Sequence, residues 1–284
     1  MSNEKQPQDL SINDLLNLIK TANKKLEHET YLPSIDKEVH LKPLNTTHTK
    51  NIAKTAVERT FSQNQFALVM YHILKDVVDP SISLSHINTL DKTILILDLC
   101  ARNNKPILNV TLQSENLFQD AKGESYYKQK EVPVNLPEHL ASLRSKKLLF
   151  DDVKVDIDSY TLFLNFPSIE EEYQFENYLY NNKIKNIDEN DPTVVKSLFS
   201  SMFINTIAQY IKAIEIDGKT VDLTSKKVLD RIAIVETVLR TATIMDAIDA
   251  SFGKQMADIL TLNQEIDGEK YIGRIQISPS LFLS

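Results

Sequence analysis

The sequence predicts an α+β protein, predominantly helical, with short antiparallel hairpins. Three observations point there. Apolar residues recur at helical spacing in both flanks of the chain, as in Leu90, Ile94, Leu97 and Ala101. Period-two alternation is confined to the middle, in "KPILNVTLQSE" and "DDVKVDIDSYTLFLNFP". Two Asp-Gly pairs, Asp217-Gly218 and Asp267-Gly268, lie between short alternating runs and supply the positive-φ residues of a type I′ turn. The order of helices, sheet, helices and hairpin suits α+β better than a regular βαβ alternation.

The elements follow in order. Residues 1–9 read as a disordered lead. "SINDLLNLIKTANKKLEHE" predicts an amphipathic helix, with Ser11 and Asp14 resembling a capping box and Ile12, Leu15, Leu16, Ile19 and Ala22 on one face. Tail and helix form an N-terminal unit, 1–29, ahead of an α+β body, 30–284, with a seam near 113–147 if the body divides. Between Tyr31 and Leu44, Val39 and Leu41 alternate with His40 and Lys42, a strand bracketed by Pro33 and Pro43. Asn45 or Thr46 caps a helix through about Thr60. "SQNQFALVMYHILKDVVD" is a second helix that Pro80 ends. "LSHINTLDKTILILDLCARNN" is a third, whose stripe is widened by Leu95 and Leu99 into a core-facing helix.

"QDAKGESYYKQKEVPVNLPEHLASLRSKK" is polar and proline-punctuated, and reads as a loop with a short strand. Val153, Val155 and Ile157, then Leu162, Leu164 and Phe166, make a hairpin turning at Asp158-Ser159. "SIEEEYQFENYLYNNK" is a helix with acids in its first turn, where the helix dipole favours them. Asp191-Pro192 opens the next helix. Two more follow the Asp217-Gly218 hairpin, broken near Thr241 to Thr243, before the last hairpin and the terminal "SLFLS".

Composition bounds the function. The chain has 284 residues, 42% hydrophobic and 25% charged, enough for one large domain or two modest ones. A net charge of −7 argues against general affinity for phosphate backbones. One cysteine, Cys100 within an apolar run, excludes an internal disulfide framework and a multi-cysteine zinc site, and suits a reducing cytoplasm. The N-terminal run is polar, without the apolar segment of a secretory signal, and no run reaches the roughly 20 apolar residues of a membrane span.

No glycine-rich phosphate loop, Gly-x-Ser-x-Gly elbow or His-Glu-x-x-His is present. The histidines (His28, His40, His48, His72, His86 and His139) form no i, i+4 pair, so structural roles outweigh metal binding. Asp152, Asp156 and Asp158 fall on one strand face. They read as a solvated hairpin face, or alternatively as the carboxylate row of a metal-dependent enzyme. Arg144, Lys146 and Lys147 make a mild basic cluster without interleaved aromatics, the weaker alternative of a nucleic-acid adaptor. The residue reading is therefore non-enzymatic, with no catalytic, cofactor or metal residue assigned. Amphipathic segments point towards protein–protein contact.

One stretch carries a resemblance. "LPSIDKEVHLKPLNTTHTKNIAKTAVE" resembles the entry of the T4-like bacteriophage baseplate hub assembly proteins: a Leu-Pro-Ser turn, a short strand closing on Lys-Pro-Leu, a polar helix start and an alanine-containing helix. "LDKTILILDLCARNN" matches an Asp followed by an apolar helix. "YIKAIEIDGKTVDLTS" matches a strand, turn and strand ahead of the last helices, and "RIQISPSLFLS" fits a final strand with an aromatic end. The helix before Tyr31 is extra, Leu117 to Lys147 has no counterpart, and the cysteine pair that some relatives carry near the C-terminus is missing. The resemblance implies a tail protein acting in assembly of the central baseplate hub. Its partner would be a hub or tape-measure protein, met in the host cytoplasm during tail assembly or kept in the virion baseplate. It implies no cofactor, no membrane and no catalytic residue.

Overall fold

The computed structural model describes residues 11–283 apart from 25, 58–61, 104, 121, 158, 186, 189–190 and 238–240. Helix α1 (Ile12–Lys24) starts behind Ser11, whose hydroxyl accepts the Asp14 N–H at 3.2 Å. It stops well before Glu29, because His28–Leu32 form strand β1 instead. In that extended form the His28 ring and the Thr30 hydroxyl each reach the Asp98 carboxylate at 2.5 Å, a long-range bond that helical spacing does not announce. β1 pairs antiparallel with β2 (Lys37–Leu41), the expected strand, around a turn in which Asp36 takes a φ of +49°.

Asn45 caps α2 (Thr46–Val57), its Oδ1 accepting the His48 N–H at 2.9 Å. Next come α3 (Ser62–Val77) and α4 (Thr89–Arg102), which is capped by Asn88. α4 is buried on every side from Thr89 to Ala101, so it is the axis of the helical core rather than a face of it. A helix apolar on one stripe alone cannot occupy that place; the supplementary Leu95 and Leu99 fill the other sides.

The middle of the chain departs most from expectation. Strand β3 (Ile107–Gln119), expected from its alternation, pairs with β4 (Ser125–Asn135) as one long ribbon, and β4 falls where a loop with a short strand is expected. Pro133 is tolerated because β4 lies at the sheet edge, where a missing N–H leaves no partner stranded. Helix α5 (Leu136–Leu143), β5 (Val153–Ile157) and β6 (Tyr160–Leu164) follow. Then come α6 (Ile169–Leu179), which runs into a π turn over Tyr180–Ile184, and α7 (Pro192–Tyr210) behind its Asp191 cap. Of the expected 158–159 turn, Asp158 lies outside the described residues.

β7 (Ile211–Ile216) and β8 (Lys219–Asp222) form the Asp217-Gly218 hairpin. α8 (Val228–Thr237) and α9 (Thr241–Ile248) follow, and a second π turn, Asp249–Gly253, leads into α10 (Lys254–Leu260). β9 (Thr261–Ile266) and β10 (Glu269–Arg274) form the Asp267-Gly268 hairpin ahead of the short α11 (Ser280–Leu283). The Asp and Gly of both pairs have positive φ, as type I′ turns require.

The expectation of a predominantly helical protein with short hairpins is corrected here. The structure is about 50% helix and 27% strand, and among the described residues the strands form three antiparallel sheets, a mixed α+β fold. Among the described residues the orders are β1-β2, β4-β3-β10-β9 and β5-β6-β7-β8. Each four-stranded sheet is two hairpins joined edge to edge. β10 joins β3 at Tyr271↔Ser114 and Ile272↔Gln113, and β6 joins β7 from Tyr160↔Ile216 to Leu164↔Ile211. Hairpin register is set by local turns, but which hairpins meet is not.

One buried cluster draws residues from Leu32 to Phe282, and a small satellite holds Leu179, Ile184 and Leu198. The terminal "SLFL" packs into the main cluster, with Leu281 and Phe282 buried and the Cys100 thiol donating to the Leu281 carbonyl at 3.1 Å. Burial lifts that thiol to about 11, which keeps it from acting as a thiolate. Among the described residues no helix is long and apolar enough to cross a membrane.

Asp91 on α4 is fully buried and accepts the Ser34 N–H at 3.3 Å and the Ser34 hydroxyl. Burial lifts its carboxyl to about 6, against the lowering effect of those two bonds. A carboxyl whose folded pKa is raised favours the fold most when protonated. Its contribution is complete below pH about 4 and is lost as pH rises through about 6. Asp91→Asn keeps an acceptor for the Ser34 N–H, and the Ser34 hydroxyl can turn to accept from the new amide. We expect a gain of about 1–3 kcal/mol at pH 7 that vanishes towards pH 4, read by urea unfolding at both pH values.

Candidate functional site

The residues that sequence reasoning singled out are mostly bound up in the fold. Asp152 accepts from Asn165 Nδ2 at 2.8 Å and Asp156 from the Thr161 hydroxyl at 2.6 Å, while Asp158 lies outside the described residues. Among the described residues no group of three or more His, Cys, Asp and Glu is placed to hold a metal ion. Arg144 pairs with Glu38 at 2.7 Å, and Lys146 donates to the Asp258 carbonyl, so both are engaged within the chain. His28, His40 and His48 meet Asp98, Glu27 and Asp76, and His139 meets the Ile259 carbonyl at 2.7 Å. His72 packs edge-on against Tyr71 and Tyr173.

Three apolar features stand open among the described residues. Every described side chain of α1 is exposed, including Ile12, Leu15, Leu16 and Ile19, the stripe the sequence marks. An amphipathic helix draws most of its stability from burying such a face, and this one has not buried it. The second surface is a groove of about 680 Å³ between the β7–β8 hairpin and α8. Ile214, Ile216, Val221 and Ile234 line it, and Lys226 and Asp230 put one charge of each sign on its wall. A third apolar feature is the far end of the β3–β4 ribbon. There Leu117, Tyr126 and Tyr127 are exposed, and Lys128 Nζ lies 3.7 Å from the Phe118 ring centroid.

Polar groups that sequence reasoning did not single out converge behind α6. Glu171 is the N3 residue of the α6 capping box with Ser168. Its carboxylate also takes Lys212 Nζ at 2.7 Å and Arg231 Nη1 at 2.8 Å. Burial alone would raise Glu171; the Lys212 charge and the hydrogen bonds from Lys212, Ser168 and Arg231 outweigh it and hold the carboxyl below its ordinary value. Burial draws Lys212 down to about 8 despite the same partner. Arg231 is only 3% exposed and stacks 4.9 Å from the Phe175 ring.

Beside this network, α3, α4, α6 and α7 surround a cleft of about 410 Å³. Lys92 of α4 pairs with Glu172 of α6 at 2.5 Å, and Glu176, one turn on, takes neutral donors from Asn64 and Gln209. The sequence carried one signal for this cleft: a lysine set in the apolar run "TLDKTILILDLC" needs a buried counter-charge. Glu172 reads only as one of the acids in a helix first turn, and nothing in the sequence singles out Glu176. No protein-family model, curated protein or solved structure matches the chain.

Proposed function

We propose that the chain is a non-enzymatic bacteriophage tail protein that acts in assembly of the central baseplate hub. It binds a hub or tape-measure protein, as an assembly factor that departs or as a minor component that stays. The observation that carries this reading is α1, a helix whose whole apolar face stands uncovered. Such a face is built for a groove on another chain, read as i, i+3, i+4 and i+7 anchors. Covering the partner's own sticky surfaces until assembly stabilises it by mass action.

The family resemblance supplies the biological setting, and its first two segments touch. Ser34 of the Leu-Pro-Ser turn binds Asp91, the acid that opens the apolar helix of the second matching segment. Those residues hold a fold entry together, so the partner surface lies elsewhere, on α1.

Co-expression with the hub and tape-measure proteins of its phage tests the reading. The wild-type chain is expected to co-purify with one of them. Burying a Leu contributes about 1.5–3 kcal/mol. Leu15→Asp with Leu16→Asp should therefore weaken the complex by about 100-fold or more. Both side chains are about half exposed, so the fold should be unaffected, as circular dichroism would show. A chain that stays alone beside every tail protein would overturn the assignment. Mass spectrometry of purified particles separates a departing factor from a resident component.

A further inference from the structure

Two of the open apolar surfaces have opposite shapes: the face of α1 is convex, and the groove beside α8 is concave. The sheet supplies the floor of the groove. Tyr160 pairs with Ile216 and Ile214 with Val221, and Ile214 and Ile216 are two positions apart, so all four share one sheet face. Ile216 and Val221 are each 45% exposed. An apolar sheet face is normally buried by a packed layer of helices. α8 forms one wall of the groove, and a second helix laid beside it would extend that layer over the open floor.

The two helices match in spacing. α8 lines the groove with Asp230, Ala233, Ile234 and Thr237, at i, i+3, i+4 and i+7. The α1 stripe of Ile12, Leu15, Leu16 and Ile19 has the same spacing. Both therefore run about 10 Å along their helices. Ala233 and Thr237 are short and let a second helix approach, while the leucines and isoleucines of α1 are long enough to fill the space between. α1 does not lie in the groove of its own chain: its stripe residues are 47–78% exposed.

Area and charge select the occupant. α1 has 13 residues. It is thus about 20 Å long and about 10 Å across, and one such helix in one groove covers on the order of 700 Å² of the two surfaces together. That falls short of the roughly 1,000 Å² that a specific interface needs, whereas two reciprocal contacts reach about 1,400 Å², inside the usual range. Reciprocal exchange also closes on itself, as a two-fold dimer does, and leaves no end open to chain growth. α1 carries Lys20 and Lys24 against Asp14, while the whole chain has a net charge of −7, so the helix and the body receiving it have opposite signs.

We propose that two copies of this chain form a two-fold dimer in which α1 of each lies in the groove between the β7–β8 hairpin and α8 of the other. The dimer covers the α1 face assigned above to the hub partner, but it does not depend on the phage assignment. Sedimentation velocity of the full chain between about 1 and 100 μM tests it, with a dimer of dissociation constant about 10 μM or tighter expected. Ala233→Arg places a long charged side chain in the groove, at an exposed helix position where arginine is a good helix former. It should weaken the dimer by about 100-fold, as should Leu15→Asp with Leu16→Asp. Val221→Asp, on the opposite wall, should weaken it by about 10-fold or more and keeps the test decisive if Ala233→Arg fails to fold. Mixing the α1 variant with Ala233→Arg brings one intact helix to one intact groove, so the mixed dimer should form about 10-fold more tightly than either variant with itself. A monomer throughout the range, a dimer that both groove variants leave intact (as α1 pairing with α1 would give), or a mixture no tighter than its components overturns the proposal. A dimer that captures no tail protein supports it and overturns the hub reading alone.

Discussion

Arg231→Met is expected to destabilise the protein by about 3–5 kcal/mol, the range found when one partner of a buried charge pair is removed. The reason lies in what the guanidinium holds. Nη2 donates to the carbonyls of Ala208 at 2.8 Å, Gln209 at 3.1 Å and Ile211 at 2.9 Å, while Nη1 donates to Glu171 at 2.8 Å. The Ala208 and Gln209 carbonyls lie in the last turn of α7, where helix geometry leaves acceptors unpaired and the dipole favours a cation. One side chain from α8 thus closes the end of α7, fixes the first residue of β7 and ties both to the N-terminus of α6. Met retains much of the volume and removes every donor. Arg231→Lys restores charge without the planar fork and should recover less than half of the loss. Urea unfolding of the three proteins reads the effect. A loss below about 1 kcal/mol for Arg231→Met would show that water replaces the donors, contrary to the enclosed geometry.

Gly273→Ala is the second large effect, at about 2–3 kcal/mol or above. A Cβ on Gly273 would lie 2.3 Å from Leu112 Cδ2 and 2.8 Å from the Thr111 carbonyl oxygen. The leucine end can swing aside, but the carbonyl belongs to β3, and moving it moves the strand. The contact falls beside the only two registered pairs, Tyr271↔Ser114 and Ile272↔Gln113, that join β10 to β3 among the described residues. The added methyl therefore presses on the joint between two hairpins rather than on either hairpin alone. The comparison is Gly253→Ala, where the nearest atom is Asp249 Oδ1 at an ordinary 3.4 Å and φ is not positive. In that helical setting the change should be neutral or stabilise by up to about 1 kcal/mol. Opposite signs for the same substitution, measured by thermal unfolding, would locate the constraint in sheet assembly. Equal effects would remove that explanation.

Much of the local structure was legible because its causes are local. Asp191 before Pro192 and Ser168 before Glu171 start helices in the fold as they do in the sequence, since a cap needs only its own turn. The Asp217-Gly218 and Asp267-Gly268 pairs turn their hairpins because φ at those positions is a property of the residues. Expectation failed where a distant partner decided. Helical spacing carries α1 on to Glu29 and so misses the start of β1, because the bonds from His28 and Thr30 to Asp98 cross about 70 residues of chain. The sequence of β4 suggests no more than a loop with a short strand, because its pairing with β3 leaves polar residues and Pro133 on an open edge. The terminal "SLFLS" shows no local sign of burial, yet Leu281 and Phe282 complete the main core.

The sequence by itself determined caps, turns, the central apolar helix α4 and the amphipathic stripe of α1, while its expectation of a predominantly helical protein undercounted the strands. Those features follow from residue spacing and backbone preference within a few positions. The tertiary structure alone decided that four hairpins weld into two four-stranded sheets, that α1 keeps its apolar face uncovered, and that Arg231, Glu171 and Lys212 meet. It also gathered Asn64, Thr89, Lys92, Glu172 and Glu176 around one cleft. The physical reason is the same in each case. Edge pairing, burial and charge compensation depend on which surfaces remain when the helices have packed, and residues far apart in sequence supply them.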